Sequence, residues 1–161
     1  MSTEFLALTR VSEAFPEAIT EHHSFRADDT LVIKKEWLLP VMKFLKQEPD
    51  LDYQILMDLT GVDYLPRRPR FEAVYNLYSL SRKNRLRVKV RLAEEDPEVE
   101  SVVGLWPIAD WLEREVWDMF GVRFRGHPDL KRILMYDGFV GHPLRKDYPI
   151  TRRQPRIGPK E

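Results

Sequence analysis

The 161-residue chain is long enough for one domain with a hydrophobic core of its own. Lysine plus arginine and aspartate plus glutamate each total 26, so no net charge would attract nucleic acid or an anionic membrane. The chain has no cysteine, which excludes disulfides, thiol nucleophiles and the thiolate ligation that iron–sulfur clusters normally need. It begins without a signal-peptide pattern and contains no apolar run of about 20 residues, so we expect a soluble intracellular protein.

The first third of the chain predicts two helices with a strand pair between them. Hydrophobic spacing and turn residues predict a helix over residues 2–15, strands over 18–25 and 30–34, and a helix over 37–46. The apolar side of the second helix consists of Leu38, Val41, Met42 and Leu45. Pro40 is compatible with this helix because it falls in the first turn.

Three further strands are predicted between residues 53 and 92. From Tyr53 the apolar period becomes two, and the residues expected on one face are Tyr53, Ile55, Met57 and Leu59, with Leu56 on the polar side. A strand over 71–80 and a hairpin turn over 81–84 follow. The last strand alternates without a break: Leu86, Val88, Val90 and Leu92 face one way, and Arg85, Arg87, Lys89 and Arg91 face the other.

An amphipathic helix follows an acidic stretch, residues 94–100, that predicts a loop. Pro107 suits the first helical turn, and Gly121 suits the left-handed position after the last turn. At about 100° per residue, the apolar stripe consists of Ile108, Leu112, Val116 and Met119, flanked by Trp111 and Phe120. Glu115 falls inside this stripe, whereas Trp117 falls on the polar face beside Glu113 and Arg114. Both departures from the pattern indicate pairing or function.

Beyond Gly121 the periodicity fades and glycine and proline recur, which predicts an extended segment of short strands and turns. We call residues 122–150 the C-terminal hook. Its apolar residues need a surface to pack against, and they are Val122, Phe124, Ile133, Leu134, Met135 and Phe139. The predicted organisation is an α+β domain over residues 1–121, the hook packing on that domain and on partners, and a polar tail over 151–161.

The predicted strands lie too close together in sequence for helical crossovers between them. We therefore expect an α+β fold of two layers, in which a mostly antiparallel sheet carries the helices on one face. The order is helix, two strands, helix, three strands, helix, and then the extended hook.

Two motifs carry a resemblance to a known family. The first consists of Glu113-Arg114-Glu115, Asp118-Met119-Phe120, His127 and Lys131-Arg132-Ile133-Leu134. The second is Gly141-His142-Pro143-Leu144-Arg145-Lys146-Asp147-Tyr148-Pro149. Together they resemble the signature of the 30 kDa-type (C) subunit of the proton-pumping NADH:quinone oxidoreductase, respiratory complex I. Membrane-bound energy-converting hydrogenases contain a related subunit, which these motifs do not exclude.

The resemblance implies a non-catalytic scaffold in the hydrophilic arm of the complex, peripheral on the cytoplasmic side of the cell membrane. Its implied partners are the quinone-site (D) subunit and the cluster-bearing (B and I) subunits. NADH, FMN and iron–sulfur clusters are then expected on other subunits and not on this chain. The residues expected to bind partners or to carry the signature are Glu113, Arg114, Glu115, Trp117, Asp118, His127, Lys131, Arg132, His142, Pro143, Arg145, Lys146, Asp147 and Tyr148.

Two other classes of function have weaker signals. A metal-dependent hydrolase would need ligands such as His127 and His142 with nearby carboxylates, but the sequence has no HExxH motif and no histidine pair at helical spacing. A nucleic-acid-binding module could use the cationic strand face, but that face lacks interleaved aromatic residues. The seven glycines form neither a dinucleotide motif nor a phosphate loop.

Catalysis by paired carboxylates is also disfavoured. Glu113 and Glu115 would point about 200° apart on a helix, so they cannot share a substrate. A structural ion pair is expected instead, between Glu115 and a basic residue such as Arg123, Lys131 or Arg132.

The interface prediction rests on Trp117 and on the basic residues of the hook. Trp117 is expected to be an anchor buried in a partner. Acidic groups of that partner are expected to pair with Lys131, Arg132, Arg145 and Lys146.

Overall fold

The computed structural model describes residues 5–154, in which three helices cover one face of a five-stranded sheet. The elements are α1 (Leu6–Ala14), β1 (Ile19–Phe25), β2 (Asp28–Ile33), α2 (Leu38–Gln47), β3 (Ile55–Asp63), β4 (Phe71–Ser79), β5 (Asn84–Leu92), β6 (Glu98–Glu100), α3 (Ala109–Phe120) and β7 (Arg123–Arg125). The predicted α+β class and mostly antiparallel sheet are confirmed. Residues 2–4 of the first predicted helix and 155–161 of the predicted tail lie outside the described residues.

The large sheet has the strand order β1-β2-β5-β4-β3. β2 and β5 run parallel, and the three other pairings in this sheet are antiparallel. Arg26 and Ala27 form the tight turn between β1 and β2, and both have positive φ, 53° and 67°, as a two-residue hairpin turn requires. The parallel pairing brings β5 to the middle of the sheet, with the strand pair β1–β2 on one side and β4–β3 on the other.

The hydrophobic core lies between the sheet and the helices. The four alternating apolar residues of β5, from Leu86 to Leu92, are all buried in it, as the sequence predicts. α2 adds the predicted apolar side from Leu38 to Leu45. No helix in residues 5–154 is long and apolar enough to cross a membrane.

Two segments differ from the predicted pattern. β3 has a register shift between Leu56 and Asp58, and the residue inserted there exchanges the two faces of the strand. As a result Leu56 is buried while Ile55 and Met57 are exposed, the opposite of the prediction. The acidic stretch is also more than a loop, because β6 lies within it and pairs in parallel with β7 of the hook.

The predicted apolar stripe of α3 is confirmed for Val116 and Met119, which are buried, and for Leu112, which packs partly buried against the core, but it is wrong for Ile108 and for the flanking Trp111. The helix begins at Ala109, so Pro107 precedes it, and Ile108 and Trp111 are exposed at its start. The side chains buried along it are those of Ala109, Glu113, Val116, Asp118 and Met119. Glu115, the residue predicted to be buried, is exposed. Polar groups elsewhere in the chain bind Glu113 and Asp118, and this compensation makes their burial possible.

α3 therefore has three distinct faces. Its core face consists of Ala109, Glu113 and Val116. Its hook face, which contacts residues 127–142, consists of Asp110, Arg114 and Asp118. Its outer face consists of Ile108, Trp111 and Glu115, all exposed. The helix ends at Gly121 with φ 78°, as predicted.

Candidate functional site

The two sequence motifs meet around the carboxylate of Asp118, which is fully buried. One oxygen accepts a hydrogen bond from the guanidinium of Arg132. The other accepts three backbone N–H groups, from Ile133 at 3.1 Å, Leu134 at 2.9 Å and Met135 at 2.8 Å. Burial alone would raise the pKa of this carboxyl, but the N–H donors and Arg132 outweigh burial and hold it below its ordinary value. The ionised carboxylate of Asp118 thus holds the turn at residues 133–135 of the hook against α3.

Arg132 connects this turn to the second motif. Its guanidinium donates to the carbonyls of Phe139 at 2.9 Å and Gly141 at 3.0 Å. It also lies over the rings of Trp117 and Phe139, 5.7 and 5.5 Å from their centroids. The guanidinium of Arg132 is therefore occupied within the chain, and its predicted pairing with a partner stays a prediction.

The second motif caps the C-terminal end of α3. The last helical carbonyls of a helix lack partners inside it. Here the carbonyl of Asp118 accepts a hydrogen bond from His142 Nδ1 at 3.0 Å. The carbonyl of Met119 accepts the N–H of Leu144 at 3.1 Å. The carbonyl of Phe120 accepts a hydrogen bond from Arg145 Nε at 2.5 Å. Burial and the nearby arginines lower the pKa of His142, which favours its neutral form. The Gly-His-Pro-Leu-Arg sequence is thus explained as a helix cap.

The same motif is attached to the sheet through Arg70, whose side chain is 1% exposed. Arg70 forms two hydrogen bonds with Asp63, at 3.0 and 2.8 Å, and two with Asp147, at 2.9 and 2.7 Å. Glu94 contributes a third carboxylate at 2.5 Å. Asp63 also accepts the N–H of Lys146 at 2.9 Å. Although burial opposes it, hydrogen bonding by Arg70 and the backbone lowers the pKa of Asp63 to about 2.

The first motif contributes two more contacts between α3 and the hook. Arg114 donates to the carbonyls of Lys131 at 3.1 Å and Arg132 at 3.0 Å. His127 Nδ1 accepts the N–H of Asp129, so Nε2 carries the proton and donates to the carbonyl of Asp110 at 3.1 Å. Both residues bind backbone groups and so position the hook against α3.

Glu113 occupies a separate buried position on the core face of α3. Its carboxylate accepts the Ser101 hydroxyl and the Val102 N–H, each at 2.7 Å. Burial, with a smaller contribution from Asp110, raises the pKa of Glu113 to about 7 against the opposing effect of these hydrogen bonds. Tyr75 lies close enough for Glu113 to raise its pKa further, and its buried hydroxyl has no hydrogen-bond partner among the described residues.

Trp117 and most of the basic residues of the hook make contacts within the chain, and their predicted contacts with a partner stay predictions. Trp117 is half-buried, with its ring edge-on to His142 at 6.3 Å between centroids and Arg132 over its face. Arg145 lies over the ring of Phe71, 5.0 Å from its centroid. Lys131 pairs with Asp129 inside the hook. Of the four basic residues predicted to meet a partner, Lys146 is the one that is exposed without an ion pair in the described part of the chain.

The hook nevertheless presents an apolar outer surface. The side chains exposed along it are Leu134, Val140, Leu144 and Ile150. Val122 and Phe124, by contrast, are buried in the main core, which answers part of the predicted need for a packing surface. Tyr148 is stacked on Phe139 at 5.9 Å and is half-buried beside Gly141, and Pro143 is half-buried as well.

Sequence reasoning missed Arg70, Asp63 and Glu94. A signal for the first two exists, because Asp63 ends β3 and Arg70 immediately precedes β4, and antiparallel pairing brings these ends together. Nothing local connects either residue to Asp147, which is 77 residues from Arg70.

The other candidate sites gain little from the structure. Among residues 5–154, no group of three or more histidine, cysteine, aspartate or glutamate side chains is placed to hold a metal ion. Most of the cationic face of β5 is paired within the chain. Lys89 lies 2.9 Å from Glu72, Arg91 makes two 2.6 Å hydrogen bonds to Glu21, and Arg87 donates to Asn76 at 3.1 Å.

Comparison with known proteins gives this arrangement its context. Residues 31–154, which include both motifs and the Arg70 cluster, match the family described as "Respiratory-chain NADH dehydrogenase, 30 Kd subunit". The chain belongs to this family.

Relatives within the 30 kDa subunit family are similar over most of their length. The chain is 47% identical over 144 residues to the NADH-quinone oxidoreductase (C) subunit of Geotalea uraniireducens (strain Rf4), covering 89% of this chain and 87% of that protein. It is 44% identical over 149 residues to the NADH-quinone oxidoreductase (C 2) subunit of Rhizobium etli (strain CIAT 652), covering 92% and 79%.

Two solved structures are similar to this chain. A trypsin-resistant fragment of Nqo5 superposes with a TM-score of 0.65 at 37% identity, covering 77% of this chain and 99% of that one. A chain of the membrane-bound sulfane sulfur reductase, an archaeal respiratory membrane complex, superposes with a TM-score of 0.71 at 23% identity, covering 89% and 84%. At that identity the second likeness shows the fold alone.

Proposed function

We propose that this chain is a non-catalytic scaffold subunit in the hydrophilic arm of a proton-translocating NADH:quinone oxidoreductase. In this role it docks the quinone-site (D) subunit and the cluster-bearing (B and I) subunits. NADH, FMN and the iron–sulfur clusters belong to other subunits. The chain lies on the cytoplasmic side of the cell membrane and is attached to it only through the complex. Membership of the 30 kDa subunit family supports this proposal.

The observation that carries the proposal is the construction of the hook. Residues 127–148 have almost no regular secondary structure, yet Asp118, Arg132 and Arg70 attach them to the domain at three places. Most of the charged groups of the two motifs form these attachments. A segment held so firmly, but without a core of its own, is suited to present a fixed surface to a partner, because little conformational entropy is lost on binding.

The partner surface expected from the hook is mainly apolar. Its four exposed apolar residues, Leu134, Val140, Leu144 and Ile150, would be buried by docking. Lys146 is available for an acidic partner group. Trp117 supports this surface from below by packing against Arg132 and His142, so its replacement acts through the hook and not through direct contact.

The proposal is tested by placing a charge on the hook surface. Leu144→Glu should leave the isolated chain folded, because Leu144 is exposed, but should weaken retention of the quinone-site subunit. Burying an unpaired charge at an interface typically costs about 2 kcal/mol or more, roughly thirtyfold in affinity. The measurement is co-purification of tagged variants with that subunit, alongside circular dichroism of each variant alone.

Leu80→Glu is the matched control, since Leu80 is equally exposed at the turn between β4 and β5, away from the hook. It should retain the partner like the unmodified chain. Equal retention by the Leu144 and Leu80 variants would show that the hook is not the docking surface.

A further inference from the structure

The outer face of α3 exposes two large apolar side chains. The Trp111 side chain is 65% exposed and that of Ile108, one turn away, is 54% exposed. An isolated exposed apolar residue is common, but an exposed tryptophan next to a second large apolar residue on one helix face marks an interaction site. Tryptophan is also the residue most enriched among the side chains that dominate binding energy.

An acidic residue that has no ion pair within residues 5–154 flanks this apolar pair. Glu115 is exposed on the same face, four residues after Trp111, and it forms no ion pair with residues 5–154. The other two acids of the first motif are both used internally, Glu113 by Ser101 and Val102 and Asp118 by the hook.

This face is separate from the surface that the hook presents. The hook contacts α3 through Asp110, Arg114 and Asp118, whereas the face made by Ile108, Trp111 and Glu115 is centred about 90° away around the helix. Neither the core nor the hook covers the outer face.

We propose that the outer face of α3 is a second docking surface, occupied by another subunit of the same complex that presents an apolar pocket flanked by arginine or lysine. Trp111 and Ile108 fill the pocket, and Glu115 pairs with the basic flank. The apolar centre provides the binding energy, and the charge pairing selects orientation and excludes acidic surfaces. This proposal rests on the proposed function only in that the chain is assembled in such a complex.

The absence of cysteine from the chain permits a direct test of burial. Ile108→Cys introduces one thiol on the outer face and leaves Trp111 and Glu115 intact. In the isolated full chain this thiol should react freely with a maleimide. In the assembled complex the thiol should react at least about tenfold more slowly than in the isolated chain, because a covered thiol is inaccessible to the maleimide. Denaturing the complex should restore full labelling.

Equal labelling rates in the native complex and the isolated chain would overturn the proposal. Slow labelling of the isolated chain that recovers on dilution would overturn it as well, since the occupant would then be a second copy of this chain. Neither result would contradict the hook proposal, which is tested independently by the loss of the partner from Leu144→Glu.

The expected charge of the occupant is tested by Glu115→Lys. This variant should remain folded but be retained in the complex about tenfold less well at low salt, because two basic groups would face each other. Glu95→Lys, which reverses an exposed charge in the loop before β6, is the control and should be retained normally. Equal retention of both variants would exclude a basic-flanked partner site.

Discussion

Three acidic residues of the first motif lie within six positions of one another and have three different environments. Asp118 is buried and ionised, because Arg132 and three backbone N–H groups compensate its charge. Glu113 is buried beside a hydroxyl and one N–H, and its pKa rises because burial, with a smaller contribution from Asp110, outweighs these two hydrogen bonds. Glu115 is exposed. The donors around each carboxylate, and not its position in the helix alone, decide its charge state.

The raised pKa of Glu113 predicts a pH dependence of stability. This carboxyl titrates near 4.5 when unfolded and at about 7 when folded, so the folded state binds the extra proton in this interval. The stabilisation that protonated Glu113 contributes is complete below pH 4.5 and is lost as the pH rises through about 7. Glu113→Gln, which keeps a carbonyl acceptor for Ser101 or Val102, should not show this loss.

The measurement is chemical denaturation of both proteins between about pH 5 and about pH 8. The difference in free energy of unfolding between unmodified chain and variant should fall by more than about 1 kcal/mol over this range. His142 is present in both proteins, so its own titration cancels. A difference that stays constant with pH would contradict the assignment of Glu113 as a titrating buried group.

At the scale of elements, α3 packs closely on β3 and so positions the site. Gly61 of β3 lies under the end of α3, and a Cβ added to it would stand 2.7 Å from the ring of Phe120 and 3.1 Å from Val116. A side chain here would lift the helix from the sheet. The cap made by the second motif would move with it, because His142, Leu144 and Arg145 bind the helix end.

Gly61→Ala should therefore lower the free energy of unfolding by about 1–3 kcal/mol, as overpacking of a well-packed contact does. Gly104→Ala is the control, because a Cβ at Gly104 meets no heavy atom within 4 Å. It should change stability by less than about 0.5 kcal/mol. Thermal and chemical unfolding of both variants provide the comparison, and equal stabilities would mean that α3 can shift without cost.

At the scale of the whole molecule, Arg70 joins segments that are far apart in the chain. Asp63, Glu94 and Asp147 come from the end of β3, the acidic stretch and the hook, and all three bind one buried guanidinium. Breaking a buried ion pair by removing one member costs several kcal/mol, so Arg70 holds the hook to the sheet. The Asp147 side chain is half-exposed, which makes it the weakest member of this cluster.

Asp147→Asn should loosen the end of the hook without unfolding the domain. Amide hydrogen exchange of Leu144 and Lys146, whose N–H groups bind Met119 and Asp63, should accelerate about tenfold, equivalent to about 1.4 kcal/mol of local opening free energy. Asp137→Asn, an exposed change elsewhere in the hook, should leave these rates unchanged. Unaltered exchange in the Asp147 variant would show that the Asp63 contact holds the hook end by itself.

The sequence by itself determined the elements whose signals are local. The unbroken alternation of β5 predicted both of its faces, the side of α2 from Leu38 to Leu45 predicted its burial, and Gly121 predicted the left-handed end of α3. These features follow from backbone geometry and side-chain period, which need only neighbouring residues. The two motifs likewise predicted the family, because their spacing is long and specific.

Only the tertiary structure decided which way α3 faces and what the motifs do. The apolar pattern favoured Ile108 and Trp111 for the core, but the donors that allow Glu113 and Asp118 to be buried come from residues 101–102 and 132–135. The extra residue in β3 and the meeting of Arg70 with Asp147 are equally invisible in local sequence. A buried polar group is stable only when its hydrogen bonds are satisfied, and chain folding alone brings those partners together.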